Sequence, residues 1–277
     1  MPFALTIAGS DSSGGAGIQK DLEVFSCFGV LGASVVTCIT AQDSLGVHHV
    51  SKVRPRTIEV QLEKVLDDLS PCAVKIGMLW DKDGVEVVAR TLRSKGISRI
   101  VVDPVLRAKN GKKLLNNNAI ESLVRDIFPL ATVLTPNAEE ASFISRVKVS
   151  SRAKAIEAGR ALLKLGPRFV LVKGGHLEGT EACDILVSEQ HVFEISTERQ
   201  SGRAVHGTGC VYSSAICACL ALGLDVPHAV MTAKVFVNEA IRNAIPVGKG
   251  FLRAGRVDLK DVPALKRLLG ALELQRR

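Results

Sequence analysis

Short aliphatic runs alternate with longer amphipathic stretches along this chain, and glycine-bearing loops join them. FALTIA (3–8) has a buried-strand pattern that stops at Gly9, and beyond GSDSSGGAG the apolar period becomes helical over IQKDLEVF. LGASVVTCI (31–39) predicts a second buried strand, TAQDSLGV a polar turn, and HHVSKVRP a short edge strand ended by Pro55. Ile58, Val60, Leu62, Val65, Leu66 and Leu69 recur at helical spacing. AVKIGML predicts a strand and loop, and VEVVARTLRSKG a helix closed by Gly96. RIVVDPV (99–105) predicts a strand stopping at Asp103, followed by the loop LRAKNGKKLL and a helix around NNAIESLVRDIF. Strand, turn and helix succeed one another in ATVLTPNAEEASFI; SRAKAIEAGRALLKLG predicts a helix, and RFVLVKGG another strand and glycine turn. ACDILVS and HVFEIS pair as a hairpin, and helices follow over 210–223 and 227–243. PVGKGFLRAG reads as a loop, and Leu265, Leu268, Leu269 and Leu272 form the inward face of a closing helix.

Helices alternating with five or six aliphatic strands predict an α/β fold, a central mostly parallel sheet with helices on both faces. No proline-rich or low-complexity linker divides residues 1–277, so one domain is expected. Hydrophobic content of 47% with only 4% aromatics makes the core aliphatic. No apolar run reaches the roughly 20 residues of a membrane span, and MPFALTIAGSD has no basic start; a cytoplasmic protein without a membrane partner is expected. The seven cysteines are odd in number and lack C-x-x-C spacing, which fits small buried apolar residues, with Cys210 set apart by its neighbours. A net charge of +8 is spread over dispersed Lys and Arg without interleaved aromatics, which reads mainly as a solvated surface with some steering of phosphates and argues against nucleic acid.

In an open α/β sheet the ligand crevice lies beyond the carboxyl ends of the strands. Asp11 with the SSGGAG loop, Gln42, Met78, Asp103, Asn137 with Glu140, Lys173 with two glycines, and HGTGC (206–210) all fall there. Singly, Asp103 reads as a turn residue, Asn137 as a helix cap, Lys173 as a surface lysine and HGTGC as a capped helix start. Together they place carboxylates, an amide, a lysine and a helix start rich in free N–H groups at one rim. That set suits phosphoryl transfer: carboxylates for Mg²⁺, a lysine for the moving phosphate, helix-start amides for its oxygens. G-x-x-x-x-G-K-[ST] and the protein-kinase H-R-D and D-F-G elements are absent from the sequence.

The motifs ALTIAGSDSSGGAGIQKDL (4–22), TAQDSLGV (40–47), VKIGML (74–79), VVDPVLRAKNG (101–111), LTPNAEEA (134–141), VLVKGGH (170–176) and VHGTGCVYSSAI (205–216) resemble, in order, the hydroxymethylpyrimidine and phosphomethylpyrimidine kinases of thiamine biosynthesis. The resemblance implies a ribokinase-like fold, ATP and Mg²⁺ as cofactors, and homodimers. It implies a pyrimidine pocket of Ala16, Asp21, Gln42, Met78 and Val105, with Asp21 and Gln42 bonding the aminopyrimidine edge. Asp103 and Glu140 match the metal and phosphate acids, Asn137 the adjoining amide, Lys173 the phosphate-side lysine, and Gly248 and Gly250 the adenine side. The amides of Gly207, Thr208, Gly209 and Cys210 match the anion hole, and Cys210 stands where sugar-kinase relatives carry an aspartate base. A thiol whose pKa the helix start lowers would serve that role. Three departures from the family pattern stand out: Asp43 replaces Asn, Ala204 and Val205 replace Asn-Thr, and GKG (248–250) is all that remains of G-x-G-x-G-P.

The activity implied is phosphorylation of 4-amino-5-hydroxymethyl-2-methylpyrimidine and then of its monophosphate. The rivals are a pyridoxal kinase of the same fold, a pyrimidine sensor without turnover, and nucleic-acid binding. The polar run 109–118 around Gly111 is a candidate lid.

Overall fold

The computed structural model describes residues 1–108, 110–112, 114–115, 117–175, 180–200, 202, 204–265, 267 and 269. Its main sheet has nine strands: β1 (Phe3–Asp11), β2 (Leu31–Asp43), β3 (Gly46–Lys52), β4 (Ala73–Ile76), β5 (Ile100–Val102), β6 (Val133–Leu134), β7 (Phe169–Val172), β8 (Glu181–Ser188) and β9 (Val192–Glu198). The spatial order is β3-β2-β1-β4-β5-β6-β7-β8-β9. From β2 to β7 every neighbouring pair is parallel; β3, β8 and β9 are antiparallel additions at the edges. The chain leaves β1 towards β2 and later returns to β4 on its other side, so the direction of winding reverses between β1 and β4. A crevice at the carboxyl ends of these strands follows from that reversal.

Successive side chains of a strand face opposite sides, and two helix layers divide them. Val74 and Ile76, Ile100 and Val102, and Val170 and Val172 pack under α2 (Pro55–Asp68), α3 (Lys82–Ser94), α4 (Asn117–Ser122), α5 (Ala138–Ser145) and α6 (Arg152–Leu163). Ala73, Val101, Val133 and Leu171 pack under α1 (Gly17–Cys27), α7 (Thr208–Ala221) and α8 (Val226–Arg242). The expected sheet with helices on both faces is present, with more strands than the five or six read from the sequence.

The differences have local causes. TAQD is strand rather than turn, because it is laddered on both sides: Thr40 opposite Asp11 and Val50, Asp43 opposite Gly46. The helix around 117–128 is broken after Ser122 into a π segment and then a 3₁₀ turn containing Pro129, which cannot donate into a continuing ladder. PVGKGFLRAG is not all loop: β11 (Ile245–Pro246) and β12 (Leu252–Arg253) join β10 (Val205–His206) in a small second sheet. In the closing helix Leu265 is fully buried and Leu269 packs on the core; Leu268 and Leu272 lie outside the described residues. The proposed lid run includes residues 109, 113 and 116, which also lie outside them. No helix among the described residues is long and apolar enough to cross a membrane.

Candidate active site

Two glycine loops build the floor of the crevice. Asp11 ends β1, and its carboxylate accepts the Ser13 N–H, the Ser13 hydroxyl and the Ala16 N–H, each at 2.8 Å, so the SSGGAG loop is wound around it. Burial opposes its charge, but the nearby His206 ring and the hydrogen bonds from Ser13 and Ala16 outweigh that and hold its pKa below the usual carboxylate range. Gly207 caps α7 with φ +82°, and a β-carbon there would collide with the Gly15 carbonyl oxygen. Only glycine tolerates both conditions, so the loop before α1 and the loop before α7 meet backbone to backbone. No side chain caps the first turn of α7, and that turn carries no acid, which leaves its N–H groups facing the crevice.

Charge is concentrated beside that helix start. Lys173 Nζ lies 2.8 Å from Asp103 Oδ1, which also accepts from Thr135 Oγ1 at 3.2 Å; Ser213 Oγ donates to Oδ2 at 3.4 Å. Burial opposes ionisation of both partners, yet Lys173 and Lys75 hold the Asp103 pKa down, while Asp103 and Glu140 hold Lys173 protonated. Lys173 is therefore no surface lysine. Asn137 and Glu140 form a capping box at the start of α5, Glu140 N–H to Asn137 Oδ1 and Asn137 N–H to Glu140 Oε2, both 2.9 Å. Burial, with Asp103 adding, pushes Glu140 up to about 7 against the pull of Lys173.

Asp103 and Glu140 line one cavity with Lys173, and a carboxyl destabilised by burial regains its charge when a cation arrives. Among the described residues no three His, Cys, Asp or Glu converge into a cage. Magnesium is commonly held by one or two carboxylates together with substrate phosphates, so this donor pair fits it.

Cys210 is half-buried in the first turn of α7 and lines the cavity. The helix start was expected to lower its pKa; instead burial pushes the thiol up to about 11, with Asp21 and Asp103 adding and Lys75 opposing. The desolvation of a small thiol exceeds the helix-end field, so the group is protonated at neutral pH.

Asp21, expected to touch the ligand, does not line the cavity. It is fully buried, and its oxygens are taken by Lys75 Nζ at 2.9 and 3.0 Å, Thr6 Oγ1 at 2.6 Å and Ser214 Oγ at 2.6 Å. Lys75 does line it and escaped the sequence reading. The available signal was a lysine inside the apolar run AVKIGML: alternation puts it opposite Val74 and Ile76, on the face covered by α1 and α7. Burial opposes its charge, but Asp21 outweighs it and keeps the amine protonated.

Gln42 lines the cavity and places its amide nitrogen 2.7 Å from His206 Nε2. Ala16, Met78 and Val105 line it too, the last two with Val47 and Leu114 as an apolar wall. Gly248 and Gly250, expected at the adenine side, are held elsewhere by a turn contact. They pack on Ser44 in the β2–β3 turn, where a β-carbon at Gly250 would collide with the Ser44 carbonyl, and neither lines the cavities described below. Asp43 Oδ1 accepts from Leu45 N–H at 2.8 Å and Gly46 N–H at 3.2 Å, which fixes that turn.

The principal cavity has a volume of about 880 Å³. A smaller one of about 260 Å³ adjoins it between β8, β9, α7 and α8, with Asp184, Tyr212 and Lys234 in its wall. Asn137, Lys173, Thr208 and Gly209 line both, so the helix start and the lysine stand where the two spaces meet.

A family model described as phosphomethylpyrimidine kinase matches residues 11–254 of the chain. A hydroxymethylpyrimidine/phosphomethylpyrimidine kinase of Bacillus subtilis is 40% identical over 248 residues, 89% of this chain and 92% of the relative. The structure of a phosphomethylpyrimidine kinase from Clostridium difficile superposes with a TM-score of 0.78 at 42% identity, covering 87% of this chain and all of that one. An ADP complex of Bacillus subtilis pyridoxal kinase superposes with a TM-score of 0.88 at 35% identity, covering 95% and 100%. The ribokinase-like fold expected from the sequence is shown by these likenesses.

Proposed function

Because the chain belongs to the phosphomethylpyrimidine kinase family, we propose that it transfers the γ-phosphoryl group of ATP to the hydroxymethyl oxygen of 4-amino-5-hydroxymethyl-2-methylpyrimidine, and then to the monophosphate so formed, for thiamine biosynthesis. The observation that carries this reading is the uncapped start of α7 beside the Lys173–Asp103 pair at the junction of two cavities. The ring alcohol occupies the larger cavity against Ala16, Gln42, Met78 and Val105, and the nucleotide enters from the smaller one past Asn137 and Thr208. Lys173 and the amides from Gly207 to Cys210 receive the charge of the equatorial oxygens where the moving group passes. Asp103 and Glu140 would hold Mg²⁺, which neutralises phosphate charge when bound.

Only the thiolate of Cys210 can accept the hydroxyl proton, and because burial pushes the thiol up to about 11 that form is a small fraction at neutral pH; where the thiol stays protonated the proton passes to a phosphate oxygen, since a loose transition state asks little of a base. The monophosphate rebinds with its phosphate towards the start of α7, so both steps share one site. A steady-state assay with ATP, the pyrimidine alcohol and the monophosphate tests this; turnover of the alcohol without any diphosphate confines the enzyme to the first step. The likeness to a pyridoxal kinase favours one second reading, phosphorylation of pyridoxal. The ratio of kcat/KM for the two alcohols decides between them.

The same reading takes the chain as one cytoplasmic domain that pairs as a homodimer, β3 being a free edge of the main sheet with Ile39 of β2 exposed nearby. Light scattering that gives the monomer mass at micromolar concentration excludes the dimer, and two separate calorimetric transitions exclude the single domain.

A further inference from the structure

The contact between Gln42 and His206 bears on how the ring of the acceptor is read. A terminal amide has an oxygen and an NH₂ of nearly equal size, so it turns over at little steric cost and its hydrogen bonds decide which way it points. Here Gln42 Nε2 lies 2.7 Å from His206 Nε2, and Thr40 Oγ1 lies 3.4 Å from Gln42 Oε1. Two donors cannot face each other at 2.7 Å, so the ring nitrogen presents its lone pair and the amide N–H donates to it. The ring is itself fixed, packed on Gly15, where a β-carbon would come within 2.8 Å of its Cδ2. The nearest charged group is Asp11, with Oδ2 3.6 Å from His206 Nε2, and this carboxylate is already occupied by Ser13 and Ala16. Arg253, from the neighbouring strand β12, is engaged by Glu23 at 3.1 Å.

We propose that His206 is a positioning residue that fixes the sense in which the Gln42 amide meets the ring of the acceptor, and thereby selects a ring carrying an amino group over the same ring carrying an oxo group. The inference rests on the reading above that the acceptor lies against Gln42. With one N–H given to His206, the amide offers its oxygen and remaining N–H as a side-by-side acceptor and donor. This edge complements an amino group next to an unprotonated ring nitrogen, as an amide reads adenine. A 4-oxo ring with a protonated neighbouring nitrogen presents the reverse order and requires the amide turned over. The turned amide would aim its oxygen at the His206 lone pair, which is repulsive. Asp11 lies beyond hydrogen-bond distance of the ring nitrogen, and the Thr40 hydroxyl, which also reaches the Ser10 carbonyl at 3.1 Å, both donates and accepts, so neither imposes this choice.

The test compares two isosteric ligands, 4-amino-5-hydroxymethyl-2-methylpyrimidine and its 4-oxo counterpart, by calorimetric titration of the full chain without nucleotide. Wild type is expected to prefer the amino compound by roughly tenfold or more. His206→Leu removes the lone pair and frees the amide, so the preference should fall to within about threefold. His206→Lys offers only donors, with Asp11 beside it to balance the charge, so the amide turns over and the preference should invert. A role limited to packing would weaken both ligands alike and leave their ratio where it was. If both folded variants keep the wild-type ratio within twofold, the proposal is overturned while the pyrimidine reading stands. If wild type binds neither compound, both are overturned.

Discussion

Two of the buried Lys–Asp pairs, Lys75–Asp21 and Lys173–Asp103, lie on the same side of the sheet and differ in one respect. Lys75–Asp21 is closed: Lys75 abuts the cavity wall, but both side chains are about 1% exposed or less, and Thr6 and Ser214 saturate the carboxylate. Lys173–Asp103 is open, the lysine side chain keeping 14% exposure where the two cavities meet. Both pairs are hydrogen-bonded at 2.8–3.0 Å, so the contact itself does not separate them. Access separates them. A charge whose partners are complete holds the fold together, and one that can exchange its partner for a phosphate oxygen does chemistry.

The comparison breaks most readily at the closed pair. Asp21→Ala leaves a buried ammonium without a partner and is expected to cost about 3–5 kcal/mol, read by denaturant unfolding. A loss below about 1 kcal/mol would mean that water reaches Lys75 and the pair is not closed. At the open pair the effect should move from stability to rate. Lys173→Ala is expected to lower kcat by about 10²–10³ with the unfolding midpoint almost unchanged. If both variants lose stability equally, the distinction fails.

Cys210→Ala sharpens the picture at the edge of the open site. Because the thiol is pushed up to about 11, its base form grows with pH, and kcat for wild type should climb from pH 6 to 9. The Ala variant should lose about 10² at pH 9 and show a flat profile. A flat wild-type profile would assign the proton to the phosphates instead. The smallest effect is expected at Glu140, whose folded pKa of about 7 lies above its ordinary value of 4.5. The unfolded chain then releases this proton first as pH rises, so the carboxyl costs stability progressively between about 4.5 and 7 and in full above 7. Glu140→Gln, which keeps the capping box, should raise Tm by a few degrees at pH 8 and leave it unchanged at pH 4, in the absence of divalent cation. No gain at pH 8 would show that the carboxylate is already compensated.

The closed and open pairs also mark the limit of what the chain reveals before folding. Strand and helix periods placed the sheet, both helix layers and the rim, because aliphatic alternation is local information. Asp103, Lys173 and HGTGC were legible because each follows a strand at its carboxyl end or precedes a helix. Asp21 was misread and Lys75 missed for one reason: whether an acid in the first turns of α1 faces a ligand or a lysine depends on β4, 54 positions away along the chain. Gly248 and Gly250 carried a glycine motif whose use is close approach to Ser44, a tertiary contact that no spacing encodes. The pKa of Cys210 escaped for the same cause, since burial is a property of the packed helix and not of its start.

The wall shared by the two cavities has a consequence for inhibitor design. A single molecule joining a ring alcohol to a nucleoside through a polyphosphate bridge would cross at Asn137, Lys173, Thr208 and Gly209 without leaving the protein surface. Its second half would bind at an effective concentration in the millimolar range or above for a short bridge, so its dissociation constant falls far below that of either half alone. Bridge length then becomes a ruler: the number of phosphates giving tightest binding measures the span between acceptor and donor when both are in place.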